Sequence, residues 1–117
     1  MIKRVDDAVL EDLWRRIDAV RWPDEPPDAG PEHGVGLAEA RELARYWREE
    51  YDWRAAEAVL NGFESGVVEG VHFLADGDGV PLVLLHGWPS SVWEFTRVLP
   101  LLRAHARVIV PSPPATR

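Results

Sequence analysis

With 117 residues, 46% of them hydrophobic and 28% charged, the chain has ordinary globular composition and enough length to bury one core. Its formal net charge of -7 excludes a phosphate-backbone partner or an anionic membrane surface, because the arginines alternate with acids instead of forming a basic face. There is no cysteine for a disulfide or thiolate site, the four histidines lack ligand spacing, and so neither metal nor cofactor is expected.

The polar start, with Lys3, Arg4, Asp6 and Asp7, offers no signal-peptide core. The longest apolar run, Val80 to Leu85, falls far short of the ~20 residues a spanning helix needs, so the expected location is cytoplasmic. Leu10, Leu13, Trp14, Ile17 and Val20 then recur at helical spacing behind Asp6 and Asp7 as caps. Glu11 with Arg15 and Asp12 with Arg16 are i,i+4 pairs, each contributing a few tenths of a kcal/mol on a solvated face.

From Trp22 to Gly36 the density of proline and glycine excludes regular helix or central strand. Asp24 and Glu25 are neighbours in this connector, and neighbours in an extended chain point apart, so they read as solvated rather than as an acid/base pair. Helical spacing returns from about Leu37 through Ala40, Leu43, Ala44, Trp47 and Tyr51. Asp52 is the expected N-cap of a third helix holding Trp53, Ala56 and Leu60, stopped by Asn61-Gly62. Tyr46, Trp47, Tyr51 and Trp53 gather at the corner between these helices and are expected to pack as core.

Past Gly62 the period shortens. Phe63 to Leu74 reads as one or two short strands with Glu69-Gly70 as turn or bulge, and His72 falls on the wetter face, which gives it no part in catalysis. Ala75 to Gly79 is a turn; its alternate aspartates lack the remaining ligands of a calcium loop.

The stretch that organises the chain is Leu82 to Glu94. Residues 82–85 are expected to be a buried strand, His86-Gly87-Trp88-Pro89 a tight turn, and Ser91 with Glu94 a capping box opening a helix. Val92, Phe95, Leu99 and Leu102 form that helix's buried face, Pro100 should end or kink it near Leu99, and its remainder should reach His105. Residues 107–110 form a second buried strand, ended by Pro111, Pro113 and Pro114; strand, helix and strand make a βαβ unit with parallel pairing. In the turn, glycine tolerates unusual dihedrals and Pro89 withdraws one donor, so specific amides face whatever lies above the strand. Fixed amides of this kind can receive a developing negative oxygen in acyl transfer or ester hydrolysis.

Arg21-Trp22-Pro23-Asp24-Glu25, Tyr46-Trp47, Tyr51-Asp52-Trp53-Arg54-Ala55-Ala56-Glu57 with Leu60-Asn61, His86-Gly87-Trp88-Pro89 and Val108-Ile109-Val110-Pro111-Ser112 together resemble the microsomal-type epoxide hydrolases, over nearly the whole chain. The resemblance implies an α/β fold in which an N-terminal helical segment (1–62) precedes the first strands and helix of an incomplete α/β-hydrolase sheet (63–117). It implies the Trp88 backbone N–H as an oxyanion-hole donor, with His86, Gly87 and Pro89 shaping the turn, and a small-molecule epoxide as substrate. The family's reaction is attack by an aspartate on an epoxide carbon, giving an ester that water, activated by a histidine and an acid, hydrolyses to a diol.

No Gly-x-Asp-x-Gly/Ser or Gly-x-Ser-x-Gly elbow occurs in the 117 residues. In the family the nucleophile, lid tyrosines, acid and histidine lie beyond the strand ending at Val110, so a truncated, catalytically silent fragment is the expectation. Val67 to Val80 also looks shortened against the family's hairpin. In that fold the strand at 82–85 lies beside the strand carrying the nucleophile. Here its edge is expected to be bare, with marginal stability, self-association or dependence on a missing C-terminal half. The alternative is a non-catalytic module that packs its aromatic corner on a separate hydrolase-like partner. A complete small hydrolase using Asp24, Glu25 or His86 ranks last, since no nucleophile and base are placed to meet.

Overall fold

The computed structural model describes residues 4–28, 30, 32 and 34–112. They form two compact units, Arg4–Asp52 and a second beginning at Trp53.

The first unit holds helices α1 (Asp7–Asp18) and α2 (Leu37–Glu49). The Asp6 carboxylate caps α1 by accepting from the Ala8 N–H at 3.0 Å, as its position before the apolar stripe predicts. The helices are tied together by Arg48, whose Nε donates to Asp18 at 2.9 Å while its guanidinium lies 5.7 Å from the Trp14 ring centroid. The N-cap of α2 is Gly36, which has no side chain to offer. Glu25 supplies the missing cap from twelve residues upstream, its Oε1 accepting from the Leu37 N–H at 2.8 Å. A carboxylate there also complements the positive end of the helix. The connector residue read as merely solvated is therefore the cap of α2.

The second unit holds α3 (Trp53–Asn61) and a four-stranded sheet of β1 (Glu64–Val68), β2 (Val71–Asp76), β3 (Pro81–Val83) and β4 (Arg107–Ser112) in the order β1-β2-β4-β3. Buried Glu57 in α3 pairs with Arg54 one turn earlier at 2.9 Å. The β1–β2 hairpin closes on Glu69 (φ 50°) and Gly70 (φ 81°). Positive φ at both central positions is the arrangement whose twist matches a right-twisted strand pair. The two short strands expected over Phe63–Leu74 are thus a hairpin spanning 64–76. β2 runs antiparallel to β4, and β3 parallel to it, so the expected βαβ unit is present within a mixed sheet.

One sheet face carries Leu74, Val108 and Val110, which with Leu99 and Val92 make the core; Leu60, Phe63, Leu84, Phe95 and Leu102 pack against it. Several expectations are corrected here. The 82–85 run is not a buried strand: β3 is three exposed residues at the end of the strand order, and Leu85 lies beyond it, also exposed. The helix from Ser91 is two short pieces, a 3-10 helix at Val92–Phe95 and α4 at Leu99–Leu102. Pro100 has no N–H to give the Thr96 carbonyl, so the α ladder cannot run through it, and it sits instead in the first turn of α4. Half of the capping box forms: Ser91 Oγ accepts from the Trp93 N–H at 3.3 Å, while Glu94 accepts from the Ser90 hydroxyl at 2.7 Å.

Pro111 does not end β4. Arg107 N donates to Val80 O and Leu84 N to Ile109 O, each at 3.0 Å, so the odd-numbered residues of β4 turn their main-chain groups toward β3. β3 has already ended opposite Ile109, and a missing donor at 111 costs no ladder bond. Finally, Tyr46, Trp47 and Tyr51 do not form a buried core, being 45%, 46% and 38% exposed.

Candidate functional site

The turn after β3 is built by its own short-range bonds. The Ser90 N–H donates to Gly87 O at 2.9 Å, closing the four residues 87–90, and the Trp88–Pro89 peptide is cis. His86 Nδ1 lies 3.1 Å from the same Gly87 oxygen, at donor distance, so the histidine acts on the turn itself. Ser90 and Glu94 then fasten the exit of the turn to the 3-10 helix.

Gly87 has no positive φ, and a Cβ built there would meet nothing within 4 Å. Neither an unusual dihedral nor a close contact therefore requires glycine at 87. Trp88 is 95% exposed, and its N–H has no acceptor among the described residues. The arrangement offers a bare backbone donor at the carboxyl end of a strand with a parallel neighbour, the end at which open α/β sheets place their ligands.

Two of the polar residues singled out from the sequence, Glu25 and His86, already have partners. Glu25 is held on the Leu37 N–H, and His86 is held on Gly87 O, so each is engaged where it stands. A cleft of about 330 Å³ beside the cap of α2 is lined by Trp22, Pro23, Glu25, Val35 and Leu37. Arg41 lies over the Trp22 ring at 5.8 Å. The shifted titrations belong to surface ion pairs: Arg16 and then Arg15 hold the Asp12 carboxyl below its ordinary value, Arg45 does the same to Glu42, and Glu64 raises Arg107. Among the described residues no cluster of three metal-ligating side chains occurs, and no helix is long and apolar enough to cross a membrane.

Sequence reasoning overlooked one polar pair. His72 Nδ1 lies 3.1 Å from Ser112 Oγ across β2 and β4, and His72 Nε2 is buried with no partner among the described residues. Strand alternation predicts a wetter face for this histidine, whereas it shares the face of Leu74 and Val110.

The family model described as "Epoxide hydrolase N terminus" matches residues 2–95. A putative epoxide hydrolase of Stigmatella aurantiaca is 41% identical over an alignment covering 94% of this chain and 29% of that protein. Epoxide hydrolase 1 of Oryctolagus cuniculus is 30% identical, with 82% of this chain and 24% of the relative covered. Among solved structures, the epoxide hydrolase of Aspergillus niger superposes with a TM-score of 0.82 at 28% identity, over all of this chain and 37% of the other. The juvenile hormone epoxide hydrolase of the silkworm Bombyx mori gives 0.82 at 29% identity, over 97% and 35%. The chain thus spans under a third of the length of the curated relatives named here, 29% and 24%.

Proposed function

The chain belongs to the epoxide hydrolase N-terminus family, and from that premise we propose that its 117 residues supply the anion-accepting turn of an epoxide-opening site without the group that attacks. The Trp88 N–H is the donor; His86, Gly87 and Pro89 hold it in place. The substrate class is a small-molecule epoxide. In the complete reaction an aspartate attacks an epoxide carbon, the ring C–O bond breaks, its oxygen takes up a proton, and a hydroxyalkyl ester forms. Water then adds to the ester carbonyl, and the resulting oxyanion is what the Trp88 amide stabilises before it collapses, expelling the diol and regenerating the carboxylate. A single preorganised donor of this kind is worth ~10²–10³ in rate.

The observation that carries the reading is the open Trp88 amide at the carboxyl end of β3, in a sequence with no Gly-x-Asp or Gly-x-Ser elbow. By itself the chain forms no diol. The test is complementation: the chain is mixed with the remaining C-terminal part of the Stigmatella aurantiaca relative, and diol is measured from an aryl epoxide. Turnover should require both polypeptides, survive Trp88→Ala, which keeps the N–H, and be lost in Trp88→Pro, which removes it. Turnover by the 117-residue chain without the second polypeptide would overturn the proposal.

A second reading is favoured by a different observation: α2 has no buried residue, and Leu43, Tyr46 and Trp47 stand exposed along it. On this reading the helical unit is a packing module for a hydrolase-like polypeptide. Combined substitution of Leu43 and Trp47 by serine would then abolish association with the complementing half. Under the first reading, Trp88→Pro leaves that association intact and removes turnover only.

A further inference from the structure

We infer that His72 and Ser112 form a cross-strand pair with a fixed proton order, in which the imidazole donates to the hydroxyl and so makes Ser112 a hydrogen-bond donor at the carboxyl end of β4. The two residues stand directly opposite each other in the β2–β4 ladder. With Nδ1 3.1 Å from Oγ, one of the two atoms must carry the shared hydrogen. A neutral imidazole has one N–H, so the choice at Nδ1 also fixes Nε2.

If the serine donated to Nδ1, the N–H would sit on Nε2, which is buried and meets no acceptor among the described residues. A buried orphan N–H is the rarer and costlier defect; a bare acceptor nitrogen is the more tolerable one. The favoured order is therefore Nδ1–H to Ser112 Oγ, with Nε2 bare. The serine has then used one lone pair as acceptor, and its own hydrogen is released for another partner.

The place of that hydrogen gives it significance. β3 and β4 run parallel, so Ser112 ends β4 at the same edge of the sheet from which the 86–89 turn leaves β3. The acceptor class that suits a committed hydroxyl donor is an oxygen, either a carbonyl or an anion. His72 is a positioning residue: it orients Ser112 and touches no reacting atom. The inference needs neither Trp88 nor a nucleophile, and it stands or falls separately from the proposed function.

The proton order is read by long-range 1H–15N correlation on the full 117-residue chain at neutral pH. Nδ1 should show the shift of a protonated ring nitrogen and Nε2 that of a bare one; the reverse pattern overturns the inference. Ser112→Ala should move the imidazole toward the Nε2–H form, and Ser112→Thr should restore the original pattern; nitrogen shifts insensitive to Ser112→Ala also overturn it. A separate measurement uses stability. His72→Asn places an amide nitrogen near Nδ1 and His72→Gln near Nε2, so the asparagine variant should keep the unfolding equilibrium constant about fivefold closer to that of the parent. Equal losses, or a better glutamine variant, would contradict the order.

Discussion

In the sheet unit Leu74, Leu99, Val108 and Val110 are fully buried, whereas in the helical unit Leu10 is the one buried residue among those described. Both units carry apolar residues at regular spacing, yet one converts them into a core and the other leaves Leu43 mostly, and Tyr46 and Trp47 nearly half, exposed. The helical unit is instead held by polar devices: the Asp6 cap, the Glu25 cap, the Arg48–Asp18 pair and the stacking of Arg48 on Trp14. The contrast teaches that amphipathic spacing announces a face to be covered without saying what covers it.

The largest effect that sharpens this contrast is in the core. Leu99→Ala should destabilise the sheet unit by ~2–5 kcal/mol, because a fully buried leucine leaves a cavity when truncated. Trp47→Ala should change stability by only about 0.5 kcal/mol, since its side chain is nearly half exposed. Urea denaturation of the two variants measures both; equal losses would break the contrast. Next in size is Glu25→Ala, expected to cost ~0.5–2 kcal/mol by uncapping α2. Faster amide exchange at the start of α2, with β2 and β4 unchanged, is the expected signature.

The smallest effect is electrostatic. Arg16 and Arg15 hold the Asp12 carboxyl below its ordinary value, so its folded pKa is depressed relative to the unfolded chain. The contribution to α1 is therefore fully present above the unfolded carboxylate value of about 3.9 and is lost as pH falls through the folded value. Helix content followed by circular dichroism from pH 5 downward should fall less steeply in Asp12→Asn, and high salt should blunt the difference.

Much of the fold was legible because it is local. The Asp6 cap, the start of α2 at Leu37, the stop at Asn61-Gly62 and the Glu69-Gly70 turn each follow from residues within one or two turns of chain. What was misread depended on neighbours. Leu82 and Val83 form an apolar run that suits a central strand, but whether such a run is buried is decided by what pairs with its outer edge. Pro111 reads as a stop because proline lacks a donor, and only the bond directions of β4 show that this donor would face past the end of β3. Glu25 capping Leu37 and His72 bonding Ser112 join residues 12 and 40 apart, beyond any local pattern. The turn after β3 is legible from its motif, but the unusual dihedral that glycine suggests at 87 is not there, and a Cβ would meet nothing at that position.

Mass spectrometry of the purified 117-residue chain after incubation with an excess of aryl epoxide tests the division between accepting a negative charge and generating one. Unmodified protein and no diol are the expected result. A substrate-sized mass increment mapped to a carboxylate within the chain, accompanied by diol release, would contradict it.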